Sequence, residues 1–404
     1  MKSTDVPLFE EHAFAALDGL RASLTELYQA AGADPDKPQV ISREFGLNRN
    51  LTWKVSRIVR AESSREILQH LPGVAGLHIF LDAFLKRQAP TSHVEAVRLA
   101  IAEFERMLAL HAGDRPTLEL LLDGLSPEET TSEALETSRR LAFQGNSGIW
   151  GVQAETRLRT SFLAPNPLDP GQLDCAQLVA VLGLRRLRHG VAWPLLERKG
   201  VDEDGFVQEQ REEPLIASTN GTESFLVPEF CSDPQPEVQV RPTKHGSVYE
   251  QVNGRLGNSG RVNCVYGSRR PKFMGRAPHG ADTRGQFFSS IDAPVEHMIF
   301  DLIVHKDLVD AGIEVEGGVL QRETTAAGRA GPCLSLPGPE RVFSLGNGVP
   351  RVATPLVPRY GDLLQSVCDQ LCWNPADFRG WRFELSYPPL PCTAVLSYSI
   401  KGAR

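Results

Sequence analysis

Long hydrophobic runs are missing from this chain of 404 residues. None reaches the roughly 18 consecutive apolar residues that a membrane-spanning helix needs, so no helical membrane protein is expected. The start, Met1-Lys2-Ser3-Thr4-Asp5, leads into acidic residues and not into an apolar stretch, which argues against a secretory leader. Paired cysteines are missing too. The seven cysteines (Cys175, Cys231, Cys264, Cys333, Cys368, Cys372 and Cys392) are odd in number and scattered, and no Cys-x-x-Cys occurs. That pattern points to reduced thiols in a cytoplasmic protein, with neither a disulfide framework nor a thiolate metal site. The common reaction motifs are also lacking. There is no Gly-x-x-x-x-Gly-Lys-Ser/Thr, no His-Glu-x-x-His, no Gly-x-Ser-x-Gly, and no dinucleotide-binding glycine triplet after a strand. Nor is there an excess of positive charge. Lys and Arg total 43 against 50 Asp and Glu, a net charge of −7, which excludes a uniformly basic coat but leaves room for a local basic patch.

What is present is ordinary globular material, 41% hydrophobic and long enough for two or three domains. Residues 1–145 carry helical periodicity. From Pro7 to Ala31, Leu8, Phe14, Leu17, Leu20, Leu24, Leu27 and Tyr28 recur at helical spacing. Ser92-His93-Val94-Glu95 and Ser126-Pro127-Glu128-Glu129 have the form of capping boxes, the first opening a helix over Val94–Leu110. The character changes near Gln144-Gly145-Asn146-Ser147-Gly148, read as a turn because Gly-Asn-Ser-Gly recurs at 257–260. Beyond it, strands are expected at Thr160–Leu163, Leu178–Leu184, Phe225–Val227, Val238–Val240, Val262–Tyr266, His297–Val304, Ile313–Val315, Val342–Leu345, Trp381–Leu385 and Ala394–Ile400, with one helix at Tyr360–Leu371. The expected class is α+β: an all-helical domain over 1–145, then a β-rich sandwich or barrel-like body over 150–404.

The most informative stretch is 38–60, with Lys37 just before it. A short helix ends at Phe45, and Gly46 supplies the left-handed backbone of a sharp turn. Leu47 plugs the angle, and Asn48 caps a second helix over 49–60. Leu51, Val55, Ile58 and Val59 would form its apolar stripe. The opposite side carries Arg49, Trp53, Arg57 and Arg60, flanked by Asn50 and Ser56. Between Lys37 and Arg60 the only anion is Glu44, giving a local charge of +5 and leaving −12 for the remainder.

This stretch resembles the helix-turn-helix of bacterial DNA-binding transcriptional regulators. The likeness rests on Ser42 four residues before Gly46, on Leu47, on the polar turn, and on aliphatics in the second helix. It departs from the pattern at Thr52, where an aliphatic residue is usual, with Leu51 one place earlier; the register of the second helix stays open. The resemblance implies that helix 49–60 lies in the major groove and that Asn48, Arg49, Asn50, Thr52, Trp53, Arg57 and Arg60 face double-stranded DNA.

Three weaker features lie in the body. Arg269, Arg270, Lys272 and Arg276, set among glycines, read as a loop that either grips phosphates or is merely solvated. Leu184–His189 holds three arginines and reads as a charged strand edge or an anion site. His297, Asp301 and His305 fall on one strand too far apart for a metal site. No cofactor or metal is expected. The resulting expectation is a cytoplasmic, homo-oligomeric DNA-binding regulator whose body senses a small-molecule effector or assembles. An assembly protein with a helical docking module, and an enzyme with a dispersed site, remain as alternatives.

Overall fold

The structure is a computed structural model that describes residues 7–125, 128–190, 192–199, 212–216, 225–235, 237–243, 246–251, 254–276, 282–309, 315–321, 335–336, 338–346 and 349–401. The chain divides into two units, Met1–Ala134 and Leu135–Arg404. The first is helical and the second β-rich, an α+β architecture.

The helical unit contains α1 (Phe9–Ala30), α2 (Pro38–Phe45), α3 (Arg49–Val59), α4 (Ser64–His70), α5 (Val74–Lys86), α6 (Thr91–His111) and α7 (Arg115–Gly124). Most of the stripe expected on the first helix is real: Leu17, Leu20, Leu24, Leu27 and Tyr28 are buried, although Phe14 and Leu8, which precedes the helix, are exposed. Aromatic packing fixes the centre, with Phe45 stacked on Phe84 at 4.2 Å and Tyr28 on Phe80 at 5.9 Å. The helix expected from Val94 begins earlier, at Thr91 behind Pro90, and no side chain caps it. Proline's fixed φ starts the helix without a capping box. The second expected box includes Ser126 and Pro127, which lie outside the described residues.

Helix α8 (Glu128–Trp150) runs straight through Gly145–Gly148, so the turn expected there is wrong. The chain reverses at Gly151, whose φ of 71° is the left-handed value that glycine allows. The second Gly-Asn-Ser-Gly, at 257–260, is a single 3₁₀ turn.

The body's fourteen described strands are β1 (Val152–Pro165), β2 (Gln172–Arg186), β3 (Trp193–Lys199), β4 (Glu213–Pro214), β5 (Val238–Thr243), β6 (Gly246–Gln251), β7 (Val262–Gly275), β8 (Asp282–Ile291), β9 (Val295–His305), β10 (Val315–Gln321), β11 (Ser335–Leu336), β12 (Val342–Ser344), β13 (Phe378–Ser386) and β14 (Cys392–Lys401). They form sheets of seven (β12-β13-β9-β1-β2-β7-β4), four (β11-β10-β14-β8) and three strands (β3-β6-β5). All pairings are antiparallel except β1 with β9. Phe225–Val227 is no strand but an isolated bridge, Leu226 to Tyr266. Ile313 lies outside the described residues. The helix expected at Tyr360–Leu371 is present with those bounds, as α9.

Side-chain alternation along β2 separates two cores. Ala176, Leu178, Ala180 and Leu182 join a cluster with Leu363, Leu364 and Val367 of α9. Cys175, Val179 and Val181 face the other way, into a cluster with Phe287 of β8 and Leu396 of β14. The seven-stranded sheet is therefore covered by a helix on one side and by the four-stranded sheet on the other. A strand buried on both faces reads as a continuous apolar run, as Leu178–Leu184 does.

One polar group sits inside the helix-side core. Asp301 of β9 is fully buried and accepts two hydrogen bonds from Arg382 of β13, from Nε at 2.9 Å and Nη2 at 2.8 Å. The Tyr360 hydroxyl of α9 donates a third at 2.8 Å, and Thr160 of β1 lies 2.5 Å from that hydroxyl. Burial pushes the Asp301 carboxyl up, and the Arg382 guanidinium and Tyr360 hydroxyl oppose that push. Breaking such a pair strands a charge, which typically costs about 3–5 kcal/mol. Arg382→Met should therefore destabilise the body by about that amount in denaturant unfolding. Asp301→Leu combined with Arg382→Met should cost less than Arg382→Met alone, because no charge is left unpaired. A double variant weaker than the single one would contradict this.

Candidate nucleic-acid interface

The corner between α2 and α3 is built by three residues. Gly46 adopts φ 66°, ψ 32°. Its amide and that of Leu47 both donate to the Ser42 carbonyl, the latter at 2.9 Å, while the Ser42 hydroxyl donates to the Leu47 carbonyl at 2.7 Å. Ser42 thus closes the turn with both its polar groups, and Leu47 is buried beneath it. Asn48 has extended backbone, and its side chain accepts the Asn50 amide at 2.8 Å, starting α3 as a cap should.

The open register of α3 resolves in an unexpected way. Thr52 is the inward residue, 0% exposed, together with Val55, Ser56 and Ile58. Leu51 and Val59 are only half-buried at the margin. The Thr52 hydroxyl is satisfied within its own helix by the carbonyls of Arg49 (3.0 Å) and Asn48 (3.2 Å), which lets a polar residue fill the aliphatic position. Two expectations fall here. Thr52 cannot touch DNA, because its side chain is in the core. Ser56 does not flank the basic face; it is buried 3.3 Å from the Tyr28 hydroxyl.

The outward face keeps Asn48, Arg49, Asn50, Trp53 and Arg60 exposed and Arg57 half-exposed. Arg57 lies 3.4 Å from Glu66 and Arg60 lies 2.6 Å from Asp36. Such surface pairs contribute about 0–1 kcal/mol each, so phosphates can displace them. Among the described residues Arg49 has no ion-pair partner. Trp53 is 44% exposed, with its ring edge-on to His70 at 5.2 Å. Burial and the neighbouring Arg57 charge hold His70 below the usual histidine value, so it is neutral at pH 7 and adds no charge to this face.

The second basic tract departs from expectation in geometry. Residues 262–275 are strand β7, not a loop, and their cations are engaged within the body. Arg269 meets Glu213 at 2.9 Å, Arg270 meets Glu212 at 3.4 Å, and Lys272 lies 3.5 Å from Asp169. Arg276 donates to the Asp307 carbonyl at 2.7 Å. Alternation puts Arg269 outward and Arg270 on the sheet face that looks toward the four-stranded sheet. Likewise Leu184–His189 is no charged edge. Arg186 ends an interior strand, buried, with its guanidinium on the Gln251 carbonyl. Among the described residues no cluster of three metal-ligating side chains occurs. No single described helix is long and apolar enough to cross a membrane.

The chain matches no known protein-family model and no curated protein.

The corner generates a stability test. A Cβ at Gly46 would meet nothing within 4 Å, so only backbone strain opposes substitution. Gly46→Val should cost about 1–2 kcal/mol or more, and Gly46→Asn much less, in thermal unfolding of the helical unit. Asn48→Ala should cost about 1 kcal/mol through loss of the cap. An unchanged melting temperature for Gly46→Val would mean that the turn is not left-handed in solution.

Proposed function

We propose that the protein is a cytoplasmic, sequence-specific DNA-binding transcriptional regulator that reads duplex DNA with α3. The observation that carries this reading is the exposed N-terminal face of α3: Asn48, Arg49, Asn50 and Trp53 stand outward behind a left-handed corner, in a segment of charge +5 on a chain of charge −7. Arg49 and Asn50 are the residue types that pair bidentately with guanine and adenine edges. Arg57, Arg60 and Lys54 sit where phosphates would replace or join their present neighbours. Arg269, Lys272 and Arg276 remain a secondary phosphate-contacting stretch, now on a strand and its end.

A single such module buries little surface, and specificity ordinarily comes from two modules facing half-sites about 34 Å apart. The reading therefore includes a homo-oligomer joined through the β-rich body, which also takes a small-molecule effector. The α6 face Val94, Val97, Ile101 and Phe104 cannot pair subunits, because it is already buried in the helical core.

Full-length protein should retard duplex DNA, with log affinity falling linearly in log salt at a slope of roughly 0.9 per phosphate contact. Arg49→Ala should cost about 1–3 kcal/mol on a selected sequence and little on random duplex. Arg57→Ala should cost less and do so on every sequence, since its partner is a phosphate. Absence of any retardation at low salt sinks the proposal. Light scattering should give a dimer or larger; a monomer at micromolar concentration removes the two-module part.

A further inference from the structure

The β-rich body contains a second polar anomaly, on the sheet face opposite Asp301. Arg157 and Arg159 of β1 alternate onto this face. Their register partners on β9 are Met298 and Phe300, and on β2 Val181 and Val179, which are core residues. One strand further on, Tyr266, Ser268 and Arg270 of β7 stand opposite Val179, Gln177 and Cys175. Three arginines thus occupy positions where a sandwich would place aliphatics. They line a cavity of about 630 Å³, to which β3 and the edge strand β8 also contribute. That volume falls within the roughly 300–1,000 Å³ of small-molecule sites.

Among the described residues the cavity's charges do not balance. Its carboxylates are Glu212 and Asp292 against three guanidiniums. Arg270 is paired with Glu212 at 3.4 Å. Among the described residues Arg159 donates only to the Gln177 amide oxygen, at 3.0 Å, and Arg157 makes no hydrogen bond. Asp292 supports Arg157 only through its field. The Nε atoms of Arg157, Arg159 and Arg270 are all buried and unbonded. Burial, then the like charge of Arg157, pushes the Arg159 guanidinium down to about 10, so it stays cationic at neutrality. Neighbouring half-buried cations whose buried Nε donors go unanswered are costly unless something negative completes them. Around them stand flat apolar walls: Trp193, Phe225, Tyr266 and the half-exposed Phe288.

We propose that this cavity binds a small organic anion, a carboxylate or phosphate monoester on an aromatic or similarly flat apolar group, with Arg157 and Arg159 gripping the anion and Trp193, Phe225 and Phe288 holding the flat part. Guanidiniums suit either headgroup because their fork matches two oxygens at once. The site lies wholly within residues 157–293 and stands whether or not α3 touches DNA.

The test uses the full chain at constant ionic strength, titrated with phenyl phosphate, phenylacetate, inorganic phosphate and the neutral phenylacetamide, read by calorimetry and thermal unfolding. Phenyl phosphate or phenylacetate should bind saturably at one site per chain and raise the melting temperature; whichever binds more tightly identifies the headgroup. Phenylacetamide should not bind, and inorganic phosphate should bind more weakly than the aromatic anion. Arg157→Met and Arg159→Met should each weaken binding by roughly tenfold or more. Their ligand-free melting temperatures should not fall, because each removes an uncompensated charge and no ion pair. Arg241→Met, exposed on β5 and outside the cavity lining, should bind like the wild type. The proposal is overturned if neither aromatic anion binds at millimolar concentration, if the amide binds as well as the acid, or if inorganic phosphate binds as well as phenyl phosphate. It is equally overturned if both methionine variants lose stability and keep affinity, which would make the arginines structural. None of these outcomes bears on DNA retardation, so the two readings fail separately.

Discussion

The body depends on the ion pair between Asp301 and Arg382. It joins adjacent strands β9 and β13, and through the Tyr360 hydroxyl it fixes the first turn of α9 against the sheet. Arg382 also donates to the Val352 carbonyl at 2.8 Å, tying down the segment that leads into α9. The carboxylate accepts three hydrogen bonds, and such answering is the condition under which a charge survives inside a protein. One side of the seven-stranded sheet is therefore sealed by a helix held in one place. The other side is treated differently. There the four-stranded sheet leaves Arg157, Arg159 and Arg270 around a cavity, two of them without a carboxylate partner among the described residues. The same residue type is structural where a carboxylate meets its fork and available where none does.

Legibility in the sequence followed burial. Strands covered on both faces, such as Leu178–Leu184 and His297–Val304, appear as apolar runs and were readable, as was α9 from its strong amphipathic period. In the sequence, β1 shows itself only from Thr160 onward. Its first half alternates Val152, Ala154, Thr156 and Leu158 with Gln153, Glu155, Arg157 and Arg159, which looks like a half-solvated strand. Period-two alternation reports that one side is polar; it cannot report that a second sheet lies across that side. The pairing of Asp301 with Arg382 was invisible for a related reason, since their 81-residue separation is bridged only by strand order. In the helical unit the corner itself was legible, because Gly46 and Asn48 act locally. Thr52 was misplaced because its hydroxyl is answered inside the helix, something composition does not reveal.

The basic face of α3 is assembled from weak surface pairs laid over a rigid corner. Glu66 and Asp36 hold Arg57 and Arg60 loosely, whereas Ser42, Gly46 and Asn48 fix the backbone beneath them with short hydrogen bonds. Rigid backbone with exchangeable counter-charges suits a polyanionic surface, since the helix need not reorganise while its side chains change partners.

The parallel pairing of β1 with β9 sets the order in which this protein folds as it is made. Their registered residues, Ala154 with Val295 through Leu163 with Val304, are roughly 140 positions apart, and β13 joins the same sheet about 75 positions later still. Ribosomes extend chains at roughly 5–20 residues per second, so β1 and β2 wait on the order of 10 s or more for the partners that complete their sheet. The helical unit, whose contacts close within its first ~125 residues, has no such delay. Nascent chains thus carry a finished helical unit beside a growing, unpaired sheet, and high contact order makes the body the slow and aggregation-exposed half of synthesis. Folding of the body during synthesis therefore waits on the late strands β9 and β13.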